Sequence, residues 1–94
     1  MARLTPKQIK ESLSTAPKWK KRGSEITRTY EFKDFPAAIK FVTAVARLAE
    51  KAWHHPDIDI RWNKVTLTLS THDEGGLTQK DFDLAARFDR LTMR

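Results

Sequence analysis

All three histidines of this chain fall in two short stretches, Glu50-Lys51-Ala52-Trp53-His54-His55-Pro56 and Ser70-Thr71-His72-Asp73. Imidazole carries protons near neutral pH because its ordinary pKa is about 6.5. Clustered imidazoles do not all hold a proton together, so one can act as base while another acts as acid. The chain has no cysteine, and Ser70 and Thr71 lack a triad context. Proton transfer, as in dehydration or isomerisation, therefore suits these residues better than covalent catalysis. Three histidines and a carboxylate could also ligate zinc, but neither HExxH nor any other zinc signature is present, and no metal is expected.

Two elements must position these groups. A helical pattern runs into His54 and is expected to stop there, since His55 precedes Pro56 and is pushed away from helical geometry. Glu50, four residues before His54, shares its helical face. Downstream, Ile58, Ile60 and Trp62 alternate with Asp57, Asp59 and Arg61. After Asn63-Lys64, Val65, Leu67 and Leu69 alternate with Thr66, Thr68 and Ser70, which predicts a tight β-hairpin. Setting Trp62 opposite Val65, Ile60 opposite Leu67 and Ile58 opposite Leu69 puts every apolar residue on one face. The same ladder extended outward sets His72 opposite His55, with Cβ atoms about 5 Å apart. Plainer roles stand beside these. His54-His55 could be a polar helix C-cap, and Asp81 could be an N-terminal helix residue that satisfies backbone donors.

The frame follows from the remaining patterns. Thr5-Pro6-Lys7-Gln8 reads as a helix start with a capping box, with Leu4 and Ile9 at staple positions. Lys18 to Arg22 is read as a short strand anchored by Trp19 and turning at Gly23-Ser24. Glu25 to Lys33 is a second strand with Ile26, Tyr30 and Phe32 on one face and Arg28 as the exception there. Asp34 caps a long helix whose stripe comprises Phe35, Ala38, Ile39, Val42, Val45, Ala46, Ala49 and Trp53. Thr78 and Asp81 open a last helix. The order is α-β-β-α-β-β-α over residues 1–94, a single α+β domain with a four-stranded antiparallel sheet and helices packed on one face.

A net charge of +6 raises nucleic acid as a partner, and Lys18, Lys20, Lys21 and Arg22 form the densest basic cluster. No RNP, KH or zinc-finger signature accompanies it, so the charge reads mainly as solvated surface. The opening residues contain no apolar run resembling a signal peptide, and nothing downstream could span a membrane. With no disulfide framework either, the expectation is a cytoplasmic protein.

These residues resemble the pterin-4a-carbinolamine dehydratases. The resemblance rests on Glu50-x3-His54-His55-Pro56, Trp62-Asn63-Lys64-Val65, Leu69-Ser70-Thr71-His72-Asp73 and Gly75-Gly76-Leu77-Thr78-x2-Asp81. It extends upstream to Phe32-x-Asp34-Phe35 and Ala46-x2-Ala49-Glu50, and covers most of the chain from about Trp19 onward. Trp62 stands where the family commonly has tyrosine. The resemblance implies a hydro-lyase that removes water from 4a-hydroxytetrahydrobiopterin to give the quinonoid dihydropterin, supporting tetrahydropterin recycling without metal or organic cofactor. It implies that His54, His55 and His72 carry catalysis, with Glu50 orienting His54, and that His55, Pro56, Ser70, Thr71, Asp81 and Trp62 contact the pterin. His54 and His72 are taken as the main proton-transfer pair, both at a polar rim where substitution costs little stability.

Further expectations from the resemblance are a homodimer or homotetramer and joint work with an aromatic amino acid hydroxylase. In animals such proteins also serve as dimerisation cofactors of a homeodomain transcription factor, so a non-catalytic interaction module is the alternative. A nucleic-acid-binding domain is the weaker one.

Overall fold

Each helix begins where a short polar side chain meets an apolar stripe. The computed structural model describes residues 2–93 and contains α1 (Pro6–Ser14), β1 (Lys20–Arg22), β2 (Glu25–Glu31), α2 (Phe35–Ala52), β3 (Asp57–Arg61), β4 (Lys64–Leu69) and α3 (Gln79–Arg90), with a 3₁₀ turn at His72–Glu74. This is the expected order. Thr5 and Gln8 exchange the two bonds of a capping box at α1. At α2, Asp34 Oδ1 accepts from Ala37 N–H at 2.9 Å. Such caps each contribute about 1 kcal/mol.

The four strands form one antiparallel sheet in the order β1-β2-β4-β3. Ile26, Tyr30, Val65, Leu67 and Leu69 are buried on the helix side, against Ala38, Phe41 and Val45 of α2 and Phe82, Ala85 and Phe88 of α3. The opposite face is polar, and the Thr29 and Thr66 hydroxyls pair across it at 2.8 Å. The stripe of α2 is broader than the sheet covers. Ala38, Phe41, Val45 and Ala49 are buried, whereas Phe35 and Ile39, expected on the same stripe, are exposed.

Arg28, the charged residue on the apolar face, has a partner no local pattern announced. Its guanidinium meets Asp89 of α3 at 2.6 Å and lies 4.1 Å from the centre of the Tyr30 ring. The Tyr30 hydroxyl and the Trp19 indole N–H donate to the same carboxylate. Burial first, then the hydrogen bond to Asp89, pushes the Tyr30 phenol well above its ordinary range. The neutral phenol is thus favoured in the folded state, so its stabilisation is complete below about pH 10 and declines as pH rises beyond it. Urea melts between pH 8 and 11 are expected to show an alkaline loss of stability that Tyr30→Phe removes; equal slopes in both proteins would contradict this.

The hairpin holds the expected faces but not the expected register. Arg61 pairs with Lys64, Ile60 with Val65 and Ile58 with Leu67, two residues out of step with the predicted ladder. A slip of two leaves every side chain on its face, so alternation cannot exclude it. The turn is Trp62-Asn63, and Trp62 rather than asparagine takes the positive φ of 52°. Asn63 is clamped instead to the end of β2: its side-chain N–H donates to Phe32 O at 2.7 Å, and its own carbonyl accepts from Phe32 N–H at 2.8 Å. The ladder ends at Asp57 and Thr68, so His55 and His72 are not cross-strand partners.

Candidate active site

The end of α2 decides where the first two imidazoles go. The helix stops at Ala52 and Trp53 adopts the left-handed conformation, φ 51° and ψ 47°. That geometry is ordinary for glycine and costs a bulky residue on the order of 1–2 kcal/mol. His54 N–H then closes the helix on Ala49 O at 3.1 Å. Because the chain reverses at Trp53, His54 is not in the last helical turn and does not share a face with Glu50.

His54 turns inward instead. Its Nε2 lies 2.6 Å from Asp81 Oδ1, and Asp81 is fully buried. His55 turns outward, its ring edge-on to Trp53 at 5.1 Å and its Nε2 2.9 Å from Glu50 Oε1. Both members of that second pair are largely exposed, where such contacts contribute little. The expected Glu50–His54 pair is thus replaced by Glu50–His55 and Asp81–His54.

Asp81 is a hub. Its Oδ2 accepts from Thr78 N–H at 2.9 Å and from the Thr71 hydroxyl at 2.9 Å. The Thr71 proton being committed there, the Thr78 hydroxyl donates to Thr71 Oγ1, 2.9 Å away. Asp81 therefore caps α3 and also orients an imidazole. With the carboxylate accepting on both oxygens, His54 Nε2 carries the hydrogen of their bond. The basic lone pair of the neutral ring is then at Nδ1.

His72 comes to this hub through the backbone. Thr71 and Gly76 exchange N–H to O bonds of 3.1 and 3.2 Å, and Gly75 turns the loop at φ 74°. His72 opens that loop beside Thr71, is exposed, and among the described residues its ring makes no hydrogen bond or ion pair. Of the residues singled out in the sequence, the structure brings together His54, Asp81, Thr71 and the His72 loop, while His55, Glu50 and Pro56 adjoin them through the chain. Ser70 donates its hydroxyl to Ser24 O at 2.7 Å. Trp62 lies at the far end of β3 from His55, about 15 Å along the strand. Within one chain it is not beside the histidines. Thr78, read from the sequence only as a cap, is the member of this network that local pattern could not show. Among the described residues no three His, Cys, Asp or Glu side chains are grouped as a metal ion would need.

The arrangement suits acid–base chemistry: one imidazole braced by a buried carboxylate, and a second on an adjacent loop with its nitrogens unengaged. A family model described as pterin 4 alpha carbinolamine dehydratase matches residues 2–91. A protein of Acidobacterium capsulatum, which carries the provisional name pterin-4-alpha-carbinolamine dehydratase, is 60% identical over 91 residues, 97% of this chain and 99% of its own. Another with that provisional name, from Roseiflexus sp. (strain RS-1), is 57% identical over 89 residues, 95% of this chain and 96% of its own. A solved structure from Brucella melitensis, titled transcriptional coactivator/pterin dehydratase, superposes with a TM-score of 0.91 at 37% identity and covers 95% of this chain and 97% of that one.

Proposed function

Because this chain belongs to the pterin-4a-carbinolamine dehydratase family, a family of hydro-lyases, we propose that it removes water from a 4a-hydroxytetrahydropterin through His54 and His72. The reaction takes a proton from ring nitrogen N5, breaks the C4a–O bond and releases the hydroxyl as water once it is protonated, leaving the quinonoid dihydropterin. The observation that carries the reading is the 2.6 Å bond from His54 to buried Asp81, itself held by Thr71, the residue before His72. This leaves Nδ1 of His54 to exchange a proton with substrate, while the His72 imidazole exchanges the other. His55, with Glu50, is assigned to pterin binding, and Pro56 shapes the turn that presents it. Ser70, next to Thr71, is assigned to an outer contact of the substrate; Trp62, remote from the histidines within one chain, is given no contact with it.

The test is dehydration of a synthetic carbinolamine by the purified protein, followed at the quinonoid absorbance with and without chelator. Catalysis above the spontaneous rate and indifference to chelator are expected; a rate equal to buffer would end the proposal. The setting that fits is recycling of an oxidised pterin after a pterin-dependent hydroxylase, in the cytoplasm. No helix among the described residues is long and apolar enough to cross a membrane.

A homo-oligomer belongs to the same reading. Phe35 and Ile39 on α2 and Ile58 and Ile60 on β3 are exposed, and β3 is an edge strand. An uncovered strand edge with an apolar face is a surface that proteins ordinarily pair or bury. Ile58→Asp with Ile60→Asp is expected to reduce the mass seen by light scattering. A monomeric parent protein would contradict the assignment.

A further inference from the structure

β2 is longer than the strand beside it. β1 follows it only from Lys20–Thr27 to Arg22–Glu25, while β4 follows it as far as Glu31–Lys64. In an antiparallel ladder alternate residues turn their N–H and C=O to opposite neighbours. Phe32 N–H reaches Asn63 O on the β4 side, which puts Arg28 and Tyr30 on that side too. Thr29 and Glu31 therefore present their backbone groups toward the line of β1. Among the described residues no backbone hydrogen bond meets them there. The chain leaves that line at Trp19, whose buried indole is drawn away to Asp89.

This unpaired edge opens onto a cleft of about 970 Å³, bounded by Phe32, Lys40 and Phe41, by Leu91 beyond α3, and by Lys18 and Lys20. None of its lining residues belongs to the histidine site. Among the described residues Lys18, Lys20 and Lys40 take part in no ion pair. Asp89 is already engaged by Arg28. Strand alternation turns the Glu31 side chain to the opposite face, with Thr27, Thr29 and Lys20, the cross-strand partner of Thr27. Among the described residues Lys18 and Lys40 are therefore the cations left without a nearby carboxylate on the cleft. The notch thus joins free backbone donors and acceptors, an aromatic wall and uncompensated positive charge.

We propose that it is a strand-addition site for an extended acidic peptide of a partner protein. The peptide runs antiparallel to β2 along the line of β1 and exchanges main-chain bonds with Thr29 and Glu31. One apolar side chain packs toward Phe32 and Phe41, and flanking carboxylates meet Lys18 and Lys40. A second copy of this edge does not suit it, since pairing would bring the same lysines together. The assignment does not depend on the dehydratase reading.

The test uses the full chain and a short acetylated, amidated peptide alternating valine and glutamate, followed by ¹H–¹⁵N NMR. The amides of Thr29 and Glu31 are expected to shift and to gain protection from hydrogen exchange, with affinity falling as salt rises. Lys18→Glu with Lys40→Glu should weaken binding by about tenfold or more, close to 1.4 kcal/mol, while leaving the melting temperature unchanged. N-methylation of the β2-facing peptide nitrogens should weaken it comparably. Equal binding of a lysine-for-glutamate peptide, or shifts confined to β3, would overturn the proposal. So would a change of oligomeric mass in the lysine variant, which would assign the edge to a second copy.

Discussion

His54→Ala is expected to lower the rate of carbinolamine dehydration by about 10² to 10⁴, the range of a positioned general acid or base, and His72→Ala to fall in the same range. The two substitutions should part company in stability. His54 is only 11% exposed and its partner Asp81 is fully buried, so removing the ring strands a carboxylate oxygen and costs about 1–3 kcal/mol. A polar rim where substitution costs little describes His72, which is exposed, but not His54. Asp81→Asn separates positioning from chemistry. An amide at that place can donate as well as accept, so it no longer dictates which nitrogen of His54 bears the proton. It should lower kcat with little change in KM and alter the pH profile. His55→Ala should raise KM more than it lowers kcat. The measurement is steady-state kinetics on the four variants, at a temperature where melts show each to be folded. A folded His54→Ala protein with full activity would sink the acid–base assignment.

Asp89→Ala is expected to be the most destabilising single change outside the site, by about 2–4 kcal/mol. The carboxylate accepts from Arg28 and Tyr30 of β2 and from Trp19 in the segment before β1. Its loss leaves a guanidinium only 17% exposed and two aromatic donors without an acceptor. The expected fall in melting temperature is about 10–25 °C. Asp89→Asn should fall between, because an amide oxygen can satisfy some of these donors but not the charge. Asp89 and Asp81 stand at opposite ends of α3, about 12 Å apart along the axis, so kcat at low temperature should not change. A melting temperature within a few degrees of the parent would show that the network is incidental to stability.

Much of this protein is decided within short windows of sequence. Thr5 with Gln8, Asp34 and Thr78 start the helices because side-chain oxygens three residues from free backbone N–H groups can cap them wherever they occur. Alternation from Ile58 to Leu69 sets strands and faces because the pleat has a period of two. The chemistry-bearing residue types are likewise local, and family resemblance marks the histidines before any fold is drawn. What tertiary structure alone settles is which of these groups meet. Alternation fixes face but not offset, so the hairpin register moved by two once Asn63 could clamp Phe32. Helical spacing pairs Glu50 with His54 only while the helix continues, and the left-handed Trp53 ends it one residue too soon. Asp81 finds His54, and Asp89 finds Arg28, because packing α3 against α2 and the sheet buries carboxylates that must then be satisfied by whatever donors the neighbouring elements bring.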